Sequence, residues 1–224
     1  MKLTFLGQAG LLFQTGSCNI MIDPYLSNSV AKLNPSNDRR IPVDPQFFEI
    51  RPDVLIFTHD HLDHFDPETV EILLIKHRGI TVLAPSSVWS KVRQMAPGNN
   101  YVLFDRFTRW TQGDIRFEAV KAQHSDIHAI GVIITLEGKK YYITGDTLYS
   151  TQVLGDLPGD LDVVFLPVNG VGNNMNMTDA ADFFRACGAK LAVPVHTGLF
   201  DDLDAGAFPV ENKVVPEYYK EIML

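Results

Sequence analysis

The sequence predicts an α+β protein in which two packed β-sheets carry helices on their outer faces. Short apolar runs of strand length outnumber helical segments, and they follow the order strands, helix, strands, helix, strand. The 224 residues include 46% hydrophobic and 21% charged side chains, which is typical of an ordinary globular protein. The chain has no internal repeat and no linker, so we expect residues 1–224 to form a single domain.

The first quarter of the chain predicts an antiparallel meander. Three apolar runs, at 3–6, 11–14 and 19–22, are separated by glycine-containing turns. Residues 23–45 are rich in Asn, Ser, Pro and charge, and they lack helical or strand periodicity. This composition predicts a long surface loop. Such loops often carry function, and this one is a candidate cover for a site.

A buried strand at 54–57 is followed by a predicted helix. Asp66 suits the N-cap and Pro67 the first helical position. Gly79 suits the position after the helix, which we expect to end near 77–78. Two more helices are predicted at 86–95 and 178–187, and the remaining strands at 80–83, 101–104, 114–121, 130–136, 139–143, 163–166 and 191–195.

The charge of the chain argues against nucleic acid and anionic membrane surfaces as partners. Its 19 Lys and Arg against 27 Asp and Glu give a net charge of −8, the wrong sign for neutralising phosphates. The longest apolar runs fall far short of the roughly 20 residues that span a bilayer. The two cysteines, Cys18 and Cys187, lie far apart, and no secretory leader is visible. We therefore expect a cytoplasmic protein.

Directly after the strand at 54–57, three histidines and an aspartate lie within six residues. This H-x-H-x-D-H segment comprises His59, His61, Asp63 and His64. At the residue frequencies of this chain, a match anywhere has a probability of roughly 6 in ten thousand, so accident is a poor explanation. Imidazole and carboxylate groups bind Zn²⁺, Mn²⁺ or Fe²⁺, and a turn at a strand end can point them at one place. The segment therefore predicts a metal site.

Three further candidate ligands, His124, Asp146 and His196, each follow the end of another apolar run. Each of them alone is weak evidence, because a single histidine at a strand end is more often an ordinary polar residue. If these strand ends share one rim of a sandwich, the seven side chains converge. Seven ligands are enough for two metals.

These motifs resemble the metallo-β-lactamase superfamily, and the similarity extends through nearly the whole chain. The matching segments are 19–24, 59–64, 122–124, 144–147 and 195–196. Segments 166–170, 175–177 and 194–196 are similar to the branch of predicted metal-dependent hydrolases that contains L-ascorbate-6-phosphate lactonase. The resemblance implies an αββα sandwich of two mixed β-sheets.

The resemblance also implies how the ligands pair. One metal would be held by His59, His61 and His124, the other by Asp63, His64 and His196, with Asp146 bridging. The catalytic residues would be Asp63, Asp146 and His196, with Asp63 able to pass a proton to the departing group. Drug-hydrolysing β-lactamases usually have cysteine in place of Asp146, so antibiotic hydrolysis is disfavoured.

Asp23 occupies the place where the family usually has a carboxylate that accepts a hydrogen bond from the free imidazole nitrogen of a ligand. The alternative is an aspartate that starts a turn before Pro24.

Candidate substrate contacts are His128, four residues after His124, and Asn169, Asn174 and Asn176 on a glycine-rich loop. The alternative is that these are ordinary loop residues, because asparagine and glycine are common in loops. The basic residues Lys32, Arg39 and Arg40 could clamp a phosphate or carboxylate, with a solvated loop as the alternative.

Two divalent cations against Asp63 and Asp146 would leave a local charge of +2, which favours an anionic substrate. The leading hypothesis is therefore a dinuclear hydrolase that uses a metal-bridging hydroxide on a small anionic ester or lactone, with a sugar-acid lactone as the narrower expectation. Zn²⁺, Mn²⁺ and Fe²⁺ all suit the ligands.

The alternatives are a phosphodiesterase or nuclease of the same superfamily, an iron redox protein, and a non-catalytic metal-stabilised binding module. Self-association is common among the smaller members, which leaves a homo-oligomer open.

Overall fold

Two six-stranded sheets pack face to face in the computed structural model, which describes residues 1–224. The first sheet is formed, in sequence order, by β1 (Lys2–Gly7), β2 (Gly10–Gln14), β3 (Asn19–Ile22), β4 (Val54–Ile56), β5 (Thr81–Ala84) and β6 (Asn100–Leu103). Strands β1 to β3 form the predicted antiparallel meander. Strands β3 to β6 are parallel, so the sheet is mixed.

The second sheet is formed by β7 (Arg109–Gln112), β8 (Ile115–Lys121), β9 (Ile130–Leu136), β10 (Lys139–Ile143), β11 (Val163–Pro167) and β12 (Leu191–Val195). Strands β7 to β10 are antiparallel, whereas β10, β11 and β12 are parallel. The β9–β10 hairpin turns at Glu137 and Gly138, which both have positive φ, as a two-residue hairpin of this kind requires. The predicted fold class is confirmed.

Five helices accompany the sheets: α1 (Ser29–Leu33), α2 (Pro67–Lys76), α3 (Ser86–Val92), α4 (Thr151–Leu154) and α5 (Met177–Cys187). Short 3₁₀ turns lie at Pro35–Asn37, Pro45–Glu49 and Ala205–Ala207. The longest helix, α5, has 11 residues, and no helix combines the length and apolarity that a membrane crossing requires.

Three apolar layers hold the sandwich together. Alternate residues of both sheets meet in the central layer, where the ring centroids of Phe13 and Phe165 lie 6.3 Å apart and Phe117 is fully buried. The other faces of the sheets pack against helices: α2 and α3 cover the first sheet, and α4 and α5 cover the second. The two-residue period of a strand places successive side chains in different layers, so each sheet is apolar on both faces.

The start of α2 matches its prediction, but its end does not. Asp66 accepts hydrogen bonds from the backbone N–H groups of Glu68 and Thr69, which satisfies two of the free donors of the first turn. The helix ends at Lys76 because His77 is already extended, with φ −119° and ψ 132°. His77 then contacts the backbone oxygen of Phe48 at 2.8 Å.

Other boundaries also differ from the sequence predictions. The helix expected at 86–95 ends at Val92, and the last helix is capped by Asn176. The loop at 23–45 contains α1, whose only buried residue is Ser29, so it has no apolar stripe to recognise. Strand β7 and helix α4 were missed, because Trp110 is the only apolar residue of β7 and α4 has only four residues.

Phe117 and Phe107 provide a matched test of the central layer. Phe117→Ala removes a fully buried ring and should lower the free energy of unfolding by about 3–5 kcal/mol. Phe107 is 71% exposed and contacts mainly the guanidinium of Arg106, so Phe107→Ala should cost about 1 kcal/mol or less. Urea denaturation followed by circular dichroism measures both values, and equal losses would contradict the packing described here.

Candidate metal centre

Seven side chains from both sheets meet at one edge of the sandwich. Four follow β4 within the H-x-H-x-D-H segment, and the others follow β8, β10 and β12. Their ligand atoms form two groups, each with all atoms within 4.8 Å of one another. The first group is His59, His61, His124 and Asp146, and the second is Asp63, His64 and His196. The structure thus brings together all seven residues that the sequence predicts as ligands.

Asp146 lies between the two groups. Its Oδ1 is 3.2 Å from His64 Nε2, and its Oδ2 is 3.2 Å from His196 Nε2 and 3.9 Å from His59 Nε2. The carboxylate therefore reaches nitrogen atoms of both groups. The backbone favours this position, because Gly145 adopts a φ of +60° directly before Asp146 and is packed against Thr58, where a side chain would be strained.

The donor set fits divalent cations. His59 Nε2 is a buried atom without a hydrogen-bond partner, and His64 Nε2 and Asp146 Oδ1, which lie 3.2 Å apart, have no other partner than each other. Each buried, unpaired polar atom costs about 1–3 kcal/mol, and these three belong to the same cluster. A cation among them would satisfy all three atoms at once, and nitrogen and oxygen ligands suit Zn²⁺, Mn²⁺ and Fe²⁺.

Asp23 orients one of the candidate ligands, His64. Its Oδ2 lies 2.8 Å from His64 Nδ1, which leaves His64 Nε2 to face Asp146. The same carboxylate accepts hydrogen bonds from the backbone N–H of Thr58 at 2.8 Å and from its hydroxyl at 2.5 Å. Asp23 is fully buried with a φ of +43°. It therefore joins the end of β3 to the first residues of the ligand segment.

The pKa shifts of the cluster show strong internal electrostatic coupling. Burial, reinforced by His64, holds the pKa of His59 well below its usual value. Burial raises the pKa of Asp146, but His196 and His64 outweigh this effect and hold it well below its usual value. Burial lowers the pKa of His196, but Asp146 and Asp63 outweigh it and raise that pKa to about 10. The buried carboxylates are thus kept charged and attract positive charge.

Gln8 belongs to the site, although the sequence analysis missed it. Its Nε2 donates to Asp63 Oδ2 at 2.7 Å and lies 3.1 Å from both ring nitrogens of His196. Its backbone oxygen accepts a hydrogen bond from the His196 N–H at 2.7 Å. Gln8 and His196 both have positive φ, 55° and 64°. The sequence signal was a polar residue inside the otherwise apolar turn Gly7–Gly10, between two buried strands.

A cavity of about 330 Å³ reaches residues of both ligand groups. Its floor includes His61, Asp63, Asp146 and His196. The loop at 23–45 contributes Val30 and Asn37 to the wall, so this loop does cover part of the site. The predicted glycine-rich loop also supplies Val171, and the segment after His196, which the sequence did not single out, supplies Phe200 and Asp201. The volume is at the small end of the range for ligand sites, about 300–1,000 Å³.

The candidate substrate contacts divide into two sets. Asn169 and Asn174 line the cavity, and Asn174 donates to Asp146 Oδ2 at 2.8 Å. Asn176 instead caps α5, accepting hydrogen bonds from the N–H groups of Thr178 and Asp179. His128 is exposed and does not line this cavity, because the loop after His124 turns away from it.

The three basic residues of the early loop bind elsewhere in the protein. Lys32 pairs with Glu68 at 2.5 Å, and Arg40 pairs with Asp202. Arg39 donates to the backbone oxygens of Tyr25 and Ile41 and to the hydroxyl of Tyr219. None of the three lines the cavity.

Asp126 joins the two loops that carry the first group of ligands. Its carboxylate accepts hydrogen bonds from the backbone N–H of Asp60 at 3.0 Å and of His128 at 2.9 Å, and from the Ser87 hydroxyl at 2.6 Å. Asp60 lies between His59 and His61, and its own carboxylate pairs with Lys91 at 2.5 Å. Asp60 is therefore a surface partner of α3.

The chain belongs to the beta-lactamase superfamily, because residues 18–197 match the family model described as the Beta-lactamase superfamily domain. One relative, a UPF0173 metal-dependent hydrolase of Exiguobacterium sp., is 33% identical over 226 residues, covering 93% of this chain and 92% of the relative.

Two solved structures share the fold. Igni18, a metallo hydrolase from the archaeon Ignicoccus hospitalis, is 20% identical with a TM-score of 0.77, covering 99% of this chain and 97% of that one. The metallo-beta-lactamase fold protein YhfI of Bacillus subtilis is 17% identical with a TM-score of 0.73, covering 100% and 99%. At these identities the likeness shows the fold alone.

Replacing Asp23 tests its support of His64. Asp23→Asn keeps the size of the side chain but removes the charge that accepts from His64 and Thr58, so the affinity for Zn²⁺ or Mn²⁺ should fall by about 10–100-fold. Competition with a chelating dye measures this affinity. The control is Asp53→Asn, at the opposite end of β4, where the carboxylate accepts from the backbone of Asn19. An equal loss in both variants would contradict a specific role for Asp23.

We expect Asp126 to make a pH-dependent contribution to the stability of the protein. Burial raises its pKa, but the hydrogen bonds from Ser87, His128 and Asp60 outweigh this and hold the pKa below its usual value. A carboxylate with a lowered folded-state pKa stabilises the protein above its ordinary pKa, and this stabilisation is lost as the pH falls through the folded-state value.

Asp126→Asn should therefore lower the free energy of unfolding by about 1–2 kcal/mol at pH 7, and this loss should shrink as the pH falls below the ordinary pKa of an aspartate. Urea denaturation across this pH range measures the difference. Asp114→Asn, at an exposed turn position, should change little at any of these pH values. A pH-independent loss in Asp126→Asn would refute the charge-based explanation.

Proposed function

We propose that this protein is a metal-dependent hydrolase that holds two divalent cations and cleaves a small anionic ester or lactone. The observation that carries the proposal is the pair of adjacent ligand groups that share Asp146 on the floor of a cavity. The name of the Exiguobacterium relative, a metal-dependent hydrolase, supports the same class of activity.

The proposed ligand sets follow the two groups. His59, His61 and His124 would hold one cation and Asp63, His64 and His196 the other, with Asp146 shared between them. Zn²⁺ and Mn²⁺ are the proposed metals, and Fe²⁺ is compatible with the same ligands. When bound, such cations supply Lewis acidity and activate water near neutral pH.

The remaining catalytic work is assigned to side chains of this protein. Asp63 lines the cavity with its Oδ2 held by Gln8 Nε2 at 2.7 Å, which suits it to pass a proton to the departing oxygen. Asn174 holds Asp146 Oδ2 at 2.8 Å and thereby limits its rotation. His196, bound through its backbone to Gln8, is fixed on the other side of Asp63.

The charge of the loaded site supports the substrate class. Two divalent cations against Asp63 and Asp146 leave +2, which favours a substrate that carries or develops negative charge on the reacting carboxyl group. The narrower proposal is a sugar-acid lactone, since the amides of Asn37, Asn169 and Asn174 give the cavity hydrogen-bonding groups suited to hydroxyls.

A substrate screen with paired variants tests the proposal. Protein reconstituted with Zn²⁺ or Mn²⁺ should hydrolyse one or more members of a panel of lactones, carboxylic esters and thioesters, and chelation should abolish the activity. Asp63→Asn should lower kcat by at least about 100-fold. Asp60→Asn is the control, because Asp60 lies in the same segment but pairs with Lys91, and it should retain near-normal turnover.

Elemental analysis of the same samples should give close to two metal ions per chain. Activity that survives metal removal, or exclusive cleavage of phosphodiesters, would reject the proposed reaction. Metal-dependent folding without hydrolysis of any panel member would favour a binding module instead.

A further inference from the structure

We propose that the cavity selects a hydroxylated substrate without a phosphate group, and that Asp201 makes this selection. The proposal rests on the proposed function, because it names the substrate class of the same site. Its starting point is a carboxylate in the cavity wall that belongs to neither ligand group.

The carboxylate of Asp201 is fixed in place by the backbone. Its Oδ1 accepts hydrogen bonds from the N–H of Gly198 at 2.8 Å and of Leu203 at 2.9 Å. Both bonds use the same oxygen, so Oδ2 remains available as an acceptor for a ligand. The loop that carries Asp201 follows His196 directly, and its position is therefore coupled to the metal ligands.

The basic side chains of the early loop do not line the cavity, although Arg40 lies close enough to interact electrostatically with Asp201. Arg40 pairs with the neighbouring Asp202, and Lys32 pairs with Glu68. Arg39 is engaged by the backbone oxygens of Tyr25 and Ile41. The charged group that the wall presents to a substrate, apart from the metal ligands, is thus a carboxylate.

With both cations bound, the cavity would be positively charged beside the ligands and negatively charged at Asp201. The cations would attract the carbonyl oxygen and the carboxylate that forms on hydrolysis, whereas Asp201 would require a hydrogen-bond donor. A hydroxyl group supplies such a donor. A phosphate dianion supplies only acceptors and would add like charges in a cavity of about 330 Å³, where few water molecules can screen the repulsion.

The matching substrate class is a polyhydroxy lactone or ester that gains a single carboxylate on hydrolysis. This narrows the proposed function to a substrate that is neutral at first and whose negative charge develops on the reacting carboxyl group. In a lactone, one water adds across the acyl carbon–oxygen bond. That bond breaks, the ring oxygen leaves as a hydroxyl, and the new carboxylic acid releases one proton. The product keeps its other hydroxyls for Asp201 and for the amides of Asn37 and Asn169.

Binding of two hydrolysis products tests the selection without requiring turnover. Protein loaded with Zn²⁺ is titrated with gluconate and with 6-phosphogluconate in a calorimeter. Asp201→Asn keeps an oxygen for the backbone bonds but removes the charge, so gluconate should bind about tenfold more weakly, while 6-phosphogluconate should bind more tightly. These opposite signs separate the role of Asp201 from any direct contact between phosphate and metal.

A control variant and a second test variant complete the design. Asp204→Asn changes a nearby exposed carboxylate that does not line the cavity and keeps an oxygen for the N–H of Gly206, so it should leave both affinities unchanged. Asp201→Ser also removes the charge and keeps an oxygen acceptor for the N–H of Gly198, and it provides the test if Asp201→Asn does not fold.

Turnover separates the two proposals. If loaded protein hydrolyses glucono-1,5-lactone at least about tenfold more efficiently than its 6-phosphate, and Asp201→Asn narrows that ratio, both stand. If no lactone or ester is hydrolysed, the proposed function fails, but opposite shifts in product binding would still support the selection. If Asp201→Asn shifts the affinities for both products in the same direction, or Asp204→Asn reproduces its effect, the selection is overturned.

Discussion

The structure depends on a buried cluster of ionisable groups whose polar atoms the protein alone does not fully satisfy. Asp146 is 4% exposed and lies within 4 Å of three histidine nitrogens, and the Nε2 atom of His59 has no hydrogen-bond partner. A buried cluster of this kind is tolerated only if something else compensates it. The sandwich, with its apolar layers on both faces of each sheet, provides the rigidity that holds these groups together.

Support for the cluster comes from residues that do not belong to it. Asp23, Gln8 and Asn174 each hold a ligand from a different element, and Asp126 joins the loops that follow β4 and β8. Strand ends determine roughly where the ligands lie, and these contacts determine where each side chain points. Because strand ends and side-chain contacts have these separate roles, the fold can be shared at 20% identity or less. The detailed chemistry is set by individual residues of this chain.

Much of the fold and of the ligand set could be predicted from the sequence, for physical reasons. The apolar runs of the strands are periodic, and the H-x-H-x-D-H motif lies within six consecutive residues, so both can be recognised in the sequence. Strand β7 was hidden because an edge strand with polar side chains has no apolar pattern. Gln8 and Asp126 were hidden because they contact Asp63 and Asp60, which are distant in sequence. Asp201 was hidden because a single polar residue in a loop carries no local signal that it lines a cavity. His128 was misleading for the same reason, since its spacing from His124 says nothing about the direction of the loop.

The left-handed backbone at Gln8, Asp23 and His196 has a consequence for how this protein can change. A residue with a side chain pays a conformational cost there that glycine avoids. At Asp23 the hydrogen bonds from Thr58 offset this cost. Selection for thermal robustness alone would favour glycine at Gln8 and His196, whereas retention of the site requires the amide and the imidazole. In laboratory evolution that selects for stability but not for catalysis, residues of the site should be replaced first, while the fold of the two sheets is retained.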